Sequence, residues 1–383
     1  MINIFAPVNL LGYGIHAINI MKALSEKNEE MCLAKIGQVQ VDPFFESYWQ
    51  NAEKNMSKFS ANNPSLFIFH DEFSFQSSGD PLLTFSVFET DKIKPLSKQM
   101  LNEGPTKVVL TTTQKHKEIL EANGITKPIE VVNEGVDPTI YNTIEIDKHI
   151  DTGKFTYITV GKKETRKNTN IILESFMSIM GDKEVALIAH TFNQFANNVK
   201  DNPLTNLTCW SDLNPKDYGF EYKGWNGKAH KFTKDKCDIY FTAPGIQTVE
   251  MPCLYHSANI GIQVSRGEGW DLPLTELMAC GLPCIASNCL GHSEYLEGAP
   301  EVQKNLVIEP IGNELAVDGH WFKGEQGNWD IIDVDEFNSK LLDTFENKDN
   351  YLEKSEELSD YMCDNYSWEL AADKILEVIK RYS

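Results

Sequence analysis

From the first residue onward, apolar positions fall in short runs separated by amphipathic stretches. The runs at 1–6, 32–36, 65–70, 84–88, 107–110 and 129–132 are largely continuous, the pattern of strands buried on both faces. Helical periodicity occupies 14–24 and 114–122. Strands that alternate with helices in this way predict a parallel sheet covered on both sides. The alternation stops at Asn133-Glu134-Gly135-Val136-Asp137-Pro138, and a polar, poorly patterned stretch runs on to Gly153. A domain boundary is therefore expected near residue 150.

Beyond that boundary the pattern restarts. A strand at 155–161 runs into a charged loop and then a helix at 168–180, which places Ile171, Ile172, Ser175, Phe176 and Ile179 on one face. Further strands are expected at 184–189, 238–242, 259–264 and 282–286, with helices at 249–257 and 273–280. A helical tail from residue 334 ends in a helix over 368–379. The chain thus reads as two Rossmann-like, doubly wound α/β domains, 1–150 and 151–366. A cleft between the carboxyl ends of their strands is suited to a nucleotide-like ligand.

Composition narrows the choice of ligand. A chain of 383 residues, 41% hydrophobic, is long enough for two cores. Lys and Arg number 35 against 56 Asp and Glu, and the net charge of −21 sets a field that repels polyanions and disfavours nucleic acid or an anionic membrane as partner. There is no basic leader ahead of the first apolar run and no stretch of about 18 apolar residues, so a cytoplasmic protein without a transmembrane segment is expected. The eight cysteines form no CxxC pair and have no neighbouring histidine cluster, which predicts reduced thiols and no metal site.

The most informative chemistry lies in Ser265-Arg-Gly-Glu268-Gly-Trp-Asp-Leu-Pro273-Leu-Thr-Glu276-Leu-Met-Ala-Cys-Gly281-Leu-Pro283, between two expected strands. Pro273 suits the first position of a helix, Gly281 suits the residue after its end, and Pro283 blocks continuation. The helix N-terminus beside residues 269–272 offers free amides and the positive end of a dipole to an anion. Glu268 and Glu276 can accept hydrogen bonds from hydroxyls, so a sugar phosphate would satisfy both features. A second loop, Val160-Gly161-Lys162-Lys163-Glu164-Thr165-Arg166-Lys167-Asn168, gathers four cations at a strand-to-helix junction where phosphates bind.

Together these segments resemble the retaining glycosyltransferases of the GT-B fold, and family 4 in particular. That family's E-x7-E signature is met by Glu268, Gly269, Leu272, Pro273, Glu276, Met278, Ala279, Cys280, Gly281, Pro283, Ile285 and Ala286. Trp270 stands where phenylalanine is usual, and Asp271 where glycine is usual. The resemblance implies transfer of a sugar from a nucleotide-diphosphate donor, a UDP- or GDP-sugar, to an acceptor hydroxyl without a metal ion or a permanently bound cofactor. It implies that Glu268 contacts the transferred sugar and Glu276 the ribose. Lys162 and Lys167 would hold the diphosphate with Arg166 beside them, and Gly269, Trp270, Asp271 and Leu272 would line the donor.

Further candidates follow from the same resemblance. Gly12 and Gly14, after the first strand, resemble a loop that borders donor and acceptor, and Glu294 resembles an acidic residue near the donor. His70 and Glu89, at two strand ends, are alternative contacts to the transferred sugar. The helix over 367–383 is expected to pack back on the first domain. A glycan or lipid-linked glycan is the expected acceptor, with a modified DNA base as an alternative. Other readings of the same fold are a sugar-nucleotide epimerase, a phosphorylase and a catalytically silent binding subunit.

Two stretches stand apart. Between 202 and 236, Trp210, Tyr218, Phe220, Tyr222 and Trp225 precede Lys228, His230, Lys231, Lys234 and Lys236, a composition that either stacks bases and pairs phosphates or covers a domain edge. Residues 318–329 are aromatic and glycine-rich and read as a loop.

Overall fold

The computed structural model describes residues 1–192, 213–319 and 321–383. Trp210, noted above, and with it Cys209 and His320, lie outside the described residues. Two sheets organise the chain. The first is wholly parallel and comprises β1 (Ile2–Ala6), β2 (Met31–Lys35), β3 (Ser65–Phe67), β4 (Leu82–Phe85), β5 (Val108–Thr111) and β6 (Ile129–Val131), in the order β2-β1-β3-β4-β5-β6. The continuous apolar runs become strands with nearly every side chain buried, as expected for a sheet covered on both faces.

The second sheet has a parallel core of β7 (Phe155–Lys162), β8 (Val185–Phe192), β11 (Cys237–Thr242), β12 (Ile260–Gln263), β13 (Cys284–Ser287) and β14 (Val307–Ile308). Two antiparallel strands, β9 (Glu221–Trp225) and β10 (Ala229–Lys234), extend one edge and complete the order β14-β13-β12-β7-β8-β11-β10-β9. Much of the stretch singled out for its aromatics and cations is therefore a sheet edge. Several of its groups have partners on this edge: Lys231 pairs with Asp238 at 3.0 Å, Tyr222 bonds His230 at 2.9 Å, and Lys234 lies over the Phe220 ring.

A separate hairpin, β15 (Pro310–Val317) with β16 (Lys323–Ile332), projects from the second sheet. Here the sequence reads as a loop because four glycines dilute the apolar alternation. Gly324 and Gly327 sit inside β16 at φ near +85°, and the pairing slips register at two points, so the strands form around bulges.

The final helix, Trp368–Tyr382, buries Trp368, Ala371, Ala372, Ile375 and Val378 along one stripe. Ser367 caps it through Leu370 N, and acidic and basic residues at its first and last turns suit the helix dipole. It lies against the helix Gly12–Glu26 of the first half, held by Lys27–Asp373 at 2.7 Å and Arg381–Glu130 at 2.6 Å. One apolar cluster runs through both halves, joining Ile4 and Leu66 to Ile158, Ile188 and Leu277.

Strand order also locates the site. In open α/β sheets ligands collect at the carboxyl ends of adjacent strands whose connections diverge to opposite sides. In the first sheet that point lies between β1 and β3, where residues 7–13 and 68–70 emerge. In the second it lies between β7 and β12, where the loops beginning after Lys162 and Gln263 face each other.

Candidate functional site

The cationic loop after β7 and the loop after β12 are joined by main-chain and side-chain bonds. Asn168, at φ +52°, donates its amide to Val264 O at 2.7 Å, and Arg266 N donates to Arg166 O at 2.8 Å. These ties carry the cations onto the carboxylates. Arg166 Nη1 lies 2.6 Å from Glu268 Oε2, and Lys167 Nζ lies 2.8 Å from Glu268 Oε1 and 2.9 Å from Asp271 Oδ1. Glu164 links Arg166 at 2.6 Å to Lys162 at 2.7 Å. Asp271 reaches His292 Nε2 at 3.2 Å, and His292 Nδ1 lies 2.7 Å from Ser287 O.

The network is buried, so its charges are strongly coupled. Burial alone would lower the Arg166 and Lys167 ionisations, but their carboxylate partners outweigh it and hold both cations well above their usual range. Burial would raise Asp271, and Lys167 with His292 reverses this, so that carboxyl lies far below the usual range. His292 is pushed well up, against its own desolvation, by Cys289 and Asp271. Both ring nitrogens face acceptors, Asp271 Oδ2 and Ser287 O, an arrangement that suits the protonated imidazole. Nothing in the local sequence marks His292, because its partner is Asp271, distant in the chain.

Asp271 has φ +80° and precedes the helix Leu272–Ala279, whose first turn its side chain does not cap. This backbone is one that glycine adopts without cost. An aspartate is accommodated here because Lys167 and His292 hold both of its oxygens. Glu276, one turn into the helix, accepts a 2.5 Å hydrogen bond from Tyr255 OH. Burial pushes its carboxyl up to about 7, although Tyr255 and Tyr141 act against the shift.

The first half closes on this cluster. A Cβ at Gly267 or Gly269 would run into Glu89 O or the Val87 side chain, so both positions require glycine for the halves to touch. Thr112 Oγ1 donates to Gly269 O at 2.5 Å. Glu89 faces Arg166, Glu268, Glu164 and Lys162, and burial, the largest influence, raises its carboxyl. His116 holds the preceding carbonyl, Phe88 O, at 2.9 Å and accepts or shares a proton with Thr113 at 2.6 Å; its burial lowers it to about 4, so it is neutral.

The remaining candidates take different places. Gly12 opens the helix Gly12–Glu26 with free space around its Cα, whereas Gly14 abuts Asn9. His70 lies among Tyr13, Phe69, Phe73 and Trp321, outside the ionic cluster, and burial lowers its ionisation. The Trp270 ring is buried against Tyr295 and Tyr366, and Leu272 is buried as well. Glu294 spends its carboxylate on the first half, accepting from Gln114 N at 2.8 Å and Asn133 Nδ2 at 3.1 Å.

Comparison with known proteins assigns the architecture. The sucrose-phosphate synthase of Thermosynechococcus elongatus superposes with a TM-score of 0.67 at 12% identity, over 99% of this chain and 98% of the other. HepE of Anabaena, solved with UDP and glucose, gives 0.63 at 10% identity over 100% of both chains. A glycosyltransferase from Rickettsia africae gives 0.63 at 14% identity, covering 100% and 98%.

The fold is GT-B.

Within this GT-B chain, residues 226–316 match the family model described as glycosyl transferases group 1, a span that includes Glu268, Asp271, Glu276 and His292. A viral protein, uncharacterized protein 356 of Sulfolobus islandicus rod-shaped virus 1, is 25% identical over 130 residues, which is 34% of this chain and 35% of the viral one. No helix among the described residues is long and apolar enough to cross a membrane.

Proposed function

We propose that this GT-B protein is a retaining, metal-independent glycosyltransferase similar to family 4, moving a sugar from a UDP- or GDP-sugar to a hydroxyl of a glycan or lipid-linked glycan in the cytoplasm. The observation that carries the reading is Glu268, held by Arg166 and Lys167 at the switch point of the second sheet and followed eight positions on by Glu276 in the adjoining helix. The likeness to HepE of Anabaena, solved with UDP and glucose, supports a nucleotide sugar as donor.

In this reading residues 151–366 hold the donor and residues 1–150, with 367–383 packed on them, present the acceptor. Glu276 accepts the ribose hydroxyls. Lys162, Arg166 and Lys167, with the uncapped amides before Leu272, take up the charge of the departing diphosphate. Each of these cations already has a carboxylate partner, so the donor phosphates enter by sharing cations that the resting site keeps in position. Glu268 orients the sugar, and Glu89 meets it from the opposing half. Contact between the halves at Gly267 and Gly269 excludes water and favours transfer over hydrolysis.

A panel of UDP-, GDP-, ADP- and TDP-sugars, read by thermal shift and by acceptor-free hydrolysis with and without chelator, tests the reading. Stabilisation by one donor with slow, chelator-resistant sugar release is expected. Binding without release under any acceptor would instead identify a silent subunit, and conversion of the sugar nucleotide without an acceptor an epimerase.

A further inference from the structure

The β15–β16 hairpin crosses from the second half to the first and is anchored there at both backbone and side chain. Asn328 N and Nδ2 donate to the two oxygens of Asp91 at 2.7 and 2.9 Å, and Asp91 N donates back to Asn328 O at 3.1 Å. The arm has a small core of Ala316, Phe322 and Trp329, with the Arg266 guanidinium 4.7 Å above the Trp329 ring. Its tip is fixed by Gln326 Nε2 donating to Trp321 O at 2.8 Å and by Phe322 N donating to Asp318 at 3.0 Å.

Trp321, next to that tip, lies over His70 of the first half, with ring centroids 6.1 Å apart and planes within 20°. His70 in turn meets Tyr13 edge-on at 5.1 Å and Phe73 at 6.5 Å. Trp321 nevertheless remains 54% exposed and Phe73 38% exposed, so these two rings stay open to solvent, while His70 and Tyr13 between them and the site are half-buried. Tyr13 connects these rings to the ionic cluster: its hydroxyl donates to Val87 O at 3.2 Å, and Glu89 and Asp71 both act on its ionisation.

We propose that the exposed rings of Trp321 and Phe73, backed by His70 and Tyr13, form a shelf, built from both halves, that binds an uncharged pyranose of an acceptor glycan. The proposal rests on the glycosyltransferase reading and adds to it the place and charge class of the acceptor. A pyranose has a hydrocarbon face, which suits an open aromatic ring, and a rim of hydroxyls, which suits nearby carboxylates. Those carboxylates are present. Asp71 is bonded to Ser86 at 2.5 Å, Glu72 is 3.3 Å from Lys94, and Glu89 lies beyond Tyr13. A base could stack on the same rings, but its phosphates would meet this acidic border and a chain of net charge −21. Because Trp321 belongs to the arm, acceptor choice depends on a segment outside the first sheet.

The test compares wild type, W321A and W321F on immobilised neutral gluco-, manno- and galacto-oligosaccharides and on sulfated counterparts, with UDP and GDP binding measured by calorimetry on the same samples. Retention of a neutral glycan by wild type is expected to fall about tenfold in W321A and to recover to within about threefold in W321F, with UDP affinity changing less than about twofold. Equal retention by wild type and W321A, preference for the sulfated glycans, or no glycan retention by a protein that binds UDP overturns the shelf and leaves the transferase reading standing. Absence of binding to UDP and to GDP alike in wild type, with retention still dependent on Trp321, overturns the transferase reading instead.

Discussion

Two carboxylates eight residues apart meet opposite electrostatic surroundings. Glu268 is neutralised by Arg166 and Lys167, while Glu276 has only tyrosine hydroxyls for partners and is raised to about 7. Since the folded-state ionisation of Glu276 lies above that of a free carboxyl, its contribution to stability is present at low pH and is lost as pH rises toward 7. In the role proposed for Glu276, ribose hydroxyls donate to its carboxylate form, so binding runs the opposite way. UDP affinity is expected to weaken about tenfold per pH unit below about 7, and this dependence should vanish in E276Q; a flat profile in wild type would remove Glu276 from the donor site. E268Q keeps the shape of the side chain and is expected to lower turnover by about 100-fold while UDP affinity changes little, as kcat and Kd measured together will show.

At the scale of elements, the turn into the helix Leu272–Ala279 combines a strained backbone with a buried charge pair. Replacing Asp271 removes the partner of His292 and Lys167, an expected loss of about 3 kcal/mol. Glycine relieves the φ of +80° and alanine does not, so D271G should be about 1 kcal/mol more stable than D271A in urea unfolding. Equal stabilities would mean that the turn relaxes without its aspartate. The arm makes a similar point about location. D91A removes the acceptor of two Asn328 hydrogen bonds, and hydrogen exchange in β15 and β16 should accelerate about tenfold while the first sheet stays protected.

Across the whole molecule, the two sheets share an apolar cluster, and Glu294 ties one half to the helix start and Asn133 of the other. Two domains of this kind often unfold separately. Here a single calorimetric transition is expected, and E294A should destabilise it by about 1 kcal/mol without dividing it. Two resolved transitions in wild type would show that the shared cluster does not couple the halves. The acidic surface belongs to this scale as well: in the proposed reaction it bears on which acceptors approach, whereas the departing diphosphate is met by the few cations buried at the switch point.

Periodicity and punctuation were enough to read two doubly wound α/β halves, while GT-B itself came from the family resemblance of the segment around Glu268; buried parallel strands are continuous apolar runs, and Pro273, Gly281 and Pro283 bracket one short helix locally. The close spacing of Glu268 and Glu276 was legible for the same reason, as was the group of cations before Asn168. Residues whose meaning depends on a distant partner were not legible. His292 meets Asp271, His116 the Phe88 carbonyl, and Glu276 has its ionisation raised by burial beside Tyr255 and Tyr141. The glycine-diluted arm also became visible only in the fold, where its bulges and its bonds to Asp91 stabilise strands that have weak intrinsic preference. Local sequence determines where strands and helix ends can form. Desolvation and long-range pairing, which arise when the halves meet, decide the charge of each site group and the position of Trp321 over His70.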